Sequence, residues 1–125
     1  MNSTTTAPKR FVARHRFARL TARKARLAAD MIRGMDVNQA LELLEFSPRR
    51  SSAFLLKVLK SAVANASQDE NVNINRLYVC DSRADDGPLH MGRLRWRPGP
   101  QGRAMPYRKR TSHLTVSVCE HEEEN

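Results

Sequence analysis

Aromatic residues make up only 6% of the 125-residue chain, too few to line a large aromatic ligand pocket. Cysteine is nearly absent: Cys80 and Cys119 stand 39 positions apart with no Cys or His spaced around them as metal ligands. They make no disulfide framework and fit a reducing cytosol. No run is long or apolar enough to span a membrane, and the first residues, MNSTTTAPKRF, lack the apolar stretch of a secretory signal. Glycine-rich phosphate loops, nucleophile elbows and zinc spacings are missing as well. These absences argue against an enzyme, a metal site or a cofactor.

Acid is missing from long stretches, and this is the more informative gap. From Lys9 to Arg33 there are nine basic residues (Lys9, Arg10, Arg14, Arg16, Arg19, Arg23, Lys24, Arg26 and Arg33) against one acid, Asp30. From Gly87 to Cys119 there is none, while Arg93, Arg95, Arg97, Arg103, Arg108, Lys109 and Arg110 all fall inside. The whole chain carries a formal net charge of +9. A single short basic cluster reads as a solvated surface. Two long ones, in which arginine far outnumbers lysine, point to a polyanion, because the guanidinium fork pairs with phosphate and stacks on bases.

One domain with one modest core is expected at this length. Residues 1–8 are polar and read as a mobile tail, and residues 9–20 as a basic lead-in. Thr21 can cap a helix whose apolar positions Ala25, Ala28, Ala29 and Ile32 keep helical spacing, with Gly34 as its stop. Asp36 with Gln39 reads as a capping pair for a short helix through Leu41 and Leu44. Ser47-Pro48 is expected to open a third helix running to about Ala66, roughly 30 Å of central spine with a broad apolar face. Two alternating segments, around Leu77 to Ser82 and from Arg110 to Cys119, read as strands. In the second, Leu114, Val116 and Val118 share one face, and Thr111, His113, Thr115 and Ser117 the other.

Between those strands, residues from about 84 to 110 hold many prolines and glycines and no consistently apolar face. A hairpin that leaves the body and turns near Pro98 to Gly102 is the simplest geometry. Its arms, at about 3.3 Å per residue, would reach on the order of 40 Å, against a radius of gyration of about 14 Å for a compact domain. Basic residues interleaved with Met91, Trp96, Met105 and Tyr107 suit RNA, where arginines meet phosphates and rings stack on bases. A disordered basic loop in the free protein is the competing reading. Of the histidines, His15 and His90 have no acid to orient them, His113 fits an RNA hydrogen bond or a structural role, and His121 sits in a glutamate-rich tail. Asp81, Asp85 and Asp86 are expected to form a turn before Gly87. A DNA-bending architectural protein with basic β-arms is the alternative binder, but such arms work as dimers and no spare apolar helix face demands a twin.

Several segments, taken in order, resemble one known family. They are RKARLAADMIRG from Arg23 to Gly34, Gln39-Ala-Leu through Leu44, KVLKSAVANA from Lys57 to Ala66, Gly102-Arg-Ala104, and KRTSHLTV from Lys109 to Val116. Together they are similar to the bacterial large-subunit ribosomal protein L-twenty-two family over residues 9 to 119. The resemblance implies an α+β fold of three helices packed on a three-stranded antiparallel sheet, with a long protruding β-hairpin. It implies a monomer in the cytoplasmic ribosome that binds 23S ribosomal RNA, assists subunit assembly, and touches neighbouring large-subunit proteins. The hairpin would line the nascent-peptide exit tunnel.

The RNA contacts implied are Arg14, Arg16, Arg19, Arg23, Lys24, Arg26, Lys57, Lys60, Arg93, Arg95, Trp96, Arg97, Arg103, Tyr107, Arg108, Lys109, Arg110 and His113. The tip facing the tunnel and its nascent peptide would be Met91, Arg97, Pro98, Gly99, Pro100 and Gln101. Here the chain departs from the family pattern: it is longer by about three residues between Gly87 and Gly102, and Gly99 follows Pro98 where an arginine is usual. The acidic tail, residues 120–125, also lies outside the shared pattern.

Overall fold

The computed structural model describes residues 9–121. The expected mobile tail at residues 1–8 and most of the acidic tail, residues 122–125, lie outside the described residues. The elements are β1 (Arg10–Ala18), α1 (Ala22–Ile32), α2 (Val37–Phe46), α3 (Arg50–Ser67), β2 (Leu77–Leu89), β3 (Arg95–Pro98), β4 (Ala104–Tyr107) and β5 (Arg110–Glu120). β5 lies between β1 and β2, antiparallel to both, while β3 and β4 pair as a second, two-stranded sheet. Three helices and a three-stranded antiparallel sheet make an α+β fold.

The core is built from small residues. Ala25, Ala28 and Ala29 of α1, Ala40 of α2, and Ala62 and Ala66 of α3 are fully buried, so helix backbones come close to one another and to the sheet. Leu55 and Leu59 of α3 meet Leu114, Val116 and Val118 on one face of β5 in a single cluster that also holds Val79 and Ala84 of β2. No residue between 85 and 113 belongs to that cluster. Two arginines fasten α1 to β2: Arg26 Nε donates to the Ala84 carbonyl at 3.0 Å, and Arg33 Nη2 to the Ser82 carbonyl at 2.5 Å.

Five local expectations are revised. Residues 9–20 are no plain lead-in, for most of them form β1. Phe11, Ala13 and His15 pair opposite Val118, Val116 and Leu114, but Val12 on the other face, His15 on this one and the register shift after His15 break the alternation that marks a strand. α3 begins at Arg50 and not at Pro48; the Ser47 hydroxyl is engaged with the Arg49 N–H and the Ser52 hydroxyl, so the chain before the helix forms a turn. Asp36 holds the N-cap position of α2 but makes no capping bond; its carboxylate meets His121 at 3.0 Å instead.

Asp81, Asp85 and Asp86 form no turn. Asp81 lies within β2 opposite Ser117. Asp85 and Asp86 continue the strand opposite His113 and Ser112, and pairing runs on to Leu89 opposite Arg110. β2 can pass there because position 87 lacks a side chain: a Cβ on Gly87 would stand 2.6 Å from Thr111 Oγ1. The link between β2 and β5 is also less uniform than two straight arms. Met91 (φ 59°) and Gly92 (φ 71°) break it, and the ladder resumes as β3–β4, closed by a turn at Pro100–Gly102 in which Gly102 takes φ 75°.

Candidate nucleic-acid interface

β1 ends, β5 begins, and α1 and α3 both start on one side of the body. There they enclose a cleft of about 580 Å³ lined by Arg19, Leu20, Thr21, Lys24, Leu27, Arg49, Arg50, Ser51, Arg108, Lys109 and Arg110. Seven of these eleven residues are Lys or Arg and none is acidic. The helix starts add to the field. Neither α1 nor α3 has a side-chain cap or an acid in its first turn, so no side chain satisfies their first N–H groups or offsets their dipole ends, which favour an anion.

A second recess of about 250 Å³, lined by Arg19, Arg50, His90, Arg95, Lys109 and Arg110, shares four residues with the first and carries the basic surface toward the small sheet. Within it, Arg95 Nη2 lies 2.6 Å from His90 Nδ1. Partial burial, together with the charges of Arg19 and Arg95, holds His90 below the ordinary histidine range, so it stands in this cluster as a neutral ring.

The small sheet presents its side chains outward. Arg95 pairs with Tyr107, Trp96 with Pro106, Arg97 with Met105 and Pro98 with Ala104. The Arg97 guanidinium lies 4.2 Å from the centre of the Tyr107 ring, a cation–π contact that orients it. Trp96, Met91 and Met105 are exposed, as are Arg93, Pro98, Pro100, Gln101 and Arg103. Gly99 lies under the Met105 side chain, where a Cβ would collide.

The anticipated contact residues fall into groups. Arg19, Lys24, Arg108, Lys109 and Arg110 come together in the cleft, with Arg95 in the adjoining recess. Arg14 and Arg16 are exposed on β1, Arg23 on α1, and Lys57 and Lys60 on α3. Arg26 is tied to the body through the Ala84 carbonyl and lies 3.8 Å from Asp86. His113 is engaged too, its Nδ1 accepting the Phe17 N–H at 3.1 Å.

Arg49 and Arg50 were not anticipated. The signal is Arg49-Arg50, which directly follows the Ser47-Pro48 pair expected to open α3. Other chemistry finds little support. Burial and the neighbouring Cys119 push the Cys80 thiol up to about 12, which leaves it protonated and unreactive at neutral pH. Among the described residues, no group of three His, Cys, Asp or Glu could hold a metal ion, and no helix is long and apolar enough to cross a membrane.

Residues 13–119 match the family described as ribosomal protein L22p/L17e. The chain belongs to this family. Its members are structural proteins of the large ribosomal subunit and not enzymes. A large ribosomal subunit protein uL22 from Caldicellulosiruptor saccharolyticus is 43% identical over 120 residues, 96% of each chain. Another, from Lacticaseibacillus casei, is 49% identical over 104 residues, 83% of this chain and 86% of the relative. The L22p/L17e match contains the whole cleft and the whole small sheet, and it stops where the acidic tail begins.

Proposed function

We propose that the chain binds 23S ribosomal RNA with the basic cleft as the centre of contact, and that it thereby helps the large subunit assemble. The observation that carries this reading is the meeting of seven cationic side chains and two uncapped helix N-termini in one acid-free recess. That arrangement suits phosphates, since helix N-termini and guanidinium forks both favour them. Arg14, Arg16, Arg23, Lys57 and Lys60 extend the contact over the body, and Arg93, Trp96, Arg97, Arg103 and Tyr107 along the hairpin.

The hairpin, residues 84–110, runs through the RNA in this reading, and Met91, Arg97, Pro98, Gly99, Pro100 and Gln101 face the nascent peptide in the exit tunnel. Support comes from the exposure of Met91, Trp96 and Met105 and from a tip with no place in the core. The chain acts as a monomer in the cytoplasmic ribosome, beside other large-subunit proteins. Binding of the isolated protein to protein-free large-subunit RNA tests the reading. If six to ten phosphates are neutralised, log affinity should fall with log salt at a slope of about −4 to −9. A slope near zero would refute it.

A further inference from the structure

β1 is irregular near its end. His15 pairs with Leu114, but the next regular partner of β5 is Ala18, opposite Ser112, so Arg16 and Phe17 together face the single residue His113. The extra residue puts Phe17 at φ 59°, a strained left-handed conformation that bulky side chains rarely adopt and that persists only where the surroundings enforce it. Two contacts enforce it here. The Phe17 N–H donates to His113 Nδ1 at 3.1 Å, and the two rings meet edge to face at 88° with centroids 4.9 Å apart.

Such strain is often held where it places a side chain for use, and the fold gains little from this one. Phe17 remains 58% exposed, whereas Phe11 and Phe54 pack against the core. His113 is fixed from its other neighbours as well. Gly87 leaves room for the imidazole, since a Cβ there would stand 3.3 Å from His113 Cε1. Because a backbone N–H only donates, Nδ1 carries no proton, and the neutral ring keeps its hydrogen on Nε2.

We propose that Phe17 and His113 form a stacking site for an unpaired RNA base at the edge of the basic cleft. The inference rests on the RNA-binding reading and adds a site to it. Arg19, two residues along from Phe17, lines the cleft, and Arg14 and Arg16, which precede Phe17 in β1, are exposed, so a strand whose phosphates follow these arginines into the cleft passes Phe17. Asp85 stands opposite His113 in the register; its carboxylate disfavours a phosphate at this point and leaves the base as the moiety that fits. Aromatic rings serve single-stranded or bulged nucleotides in this way, because every base has a stackable face.

The test compares full-length variants for binding to protein-free large-subunit RNA over a range of salt. Phe17→Leu keeps bulk without the flat ring. Phe17→Asn removes the ring and suits the left-handed backbone, so loss of folding cannot account for loss of binding. Both should weaken binding by about five- to a hundred-fold, with thermal unfolding and salt slope held near the parent's. Phe17→Tyr should bind like the parent, and Arg19→Ala should lower the salt slope by about one.

Parent-like binding by Phe17→Leu and Phe17→Asn would overturn the stacking site and leave the RNA reading intact. A parent chain whose binding ignores salt would remove the reading itself, and the site with it. If the Leu variant binds naked RNA normally but enters subunits poorly, the ring docks on a protein neighbour and the inference is wrong.

Discussion

Arg95 Nη2 and His90 Nδ1 lie 2.6 Å apart; since a guanidinium has only donors, the imidazole nitrogen accepts and the ring is neutral. Partial burial and the charges of Arg19 and Arg95 hold His90 below its ordinary value of 6.5. A depressed histidine binds fewer protons folded than unfolded, so its effect on the free protein is to lower stability as pH falls through the ordinary histidine range. If the proposed RNA contact forms, phosphates on Arg19 and Arg95 would cancel the repulsion and binding would take up a proton. Affinity should therefore rise a few-fold more between pH 7.5 and 5.5 in the parent than in His90→Gln. Identical pH profiles for the two would contradict this.

The cleft should dominate RNA affinity. Arg50→Ala and Arg19→Ala should each reduce the salt slope by about one and weaken binding across all salt concentrations. Lys60→Ala, on the exposed flank of α3 away from the cleft, should cost less. Filter binding at several salt concentrations would show whether the three changes are instead equivalent.

Body and hairpin should separate cleanly. Because no residue from 85 to 113 joins the core cluster, replacing Met91 to Met105 with a short Gly-containing turn should leave helical content and thermal unfolding nearly unchanged. The truncated chain should still enter large subunits, with lower affinity, while nascent-chain stalling and sensitivity to tunnel-binding drugs change. Hydrogen exchange in the free protein should be fast from Gly92 to Ala104, as expected of a marginal two-stranded element. Slow exchange there would show a tip that holds itself without RNA.

Gly87 should be far less tolerant. Its added Cβ would press on Thr111 Oγ1 at 2.6 Å, and that hydroxyl already donates to the Pro88 carbonyl at 2.5 Å. Gly87→Ala should destabilise the protein by about 1–3 kcal/mol, a typical overpacking cost, seen as a drop of several degrees in thermal unfolding.

The tail divides at His121. Glu120 is the last residue of β5, and His121 contacts Asp36 at 3.0 Å, stacks on Tyr78 at 4.3 Å between centroids, and donates its N–H to the Arg76 carbonyl at 2.9 Å. Removing residues 122–125 should leave stability and ribosome incorporation intact. Removing Glu120 and His121 as well should cost at least about 1–3 kcal/mol, the worth of the His121 backbone hydrogen bond and ring contact, to which the exposed Asp36 contact and the Asn73 N–H bond to Glu120 add. Equal unfolding temperatures for the two truncations would mean the His121 contacts contribute nothing.

Much of the body was legible from residue order alone, because helices and well-patterned strands follow from side-chain period and local stops. Ala25, Ala28, Ala29 and Ile32 mark the buried stripe of α1, Gly34 ends it at φ 84°, and Leu114, Val116 and Val118 mark the inner face of β5. The two acid-poor stretches and the Pro98 to Gly102 turn were equally readable. Tertiary structure decided the rest. β1 exists because β5 offers it an edge to pair with; Val12, His15 and the extra residue before Ala18 break the alternation that would have announced it. Asp36 turns from capping α2 to a histidine 85 positions away, and Asp85 and Asp86 extend a strand because Gly87 lets Thr111 come close. Arg19, Arg49, Arg50 and Arg108 to Arg110 share one cleft only because antiparallel pairing of β1 with β5 brings the start of one beside the end of the other, next to the first turns of α1 and α3. Local preference is set within a few residues; the meeting of distant charges depends on register and packing, which no short window of sequence contains.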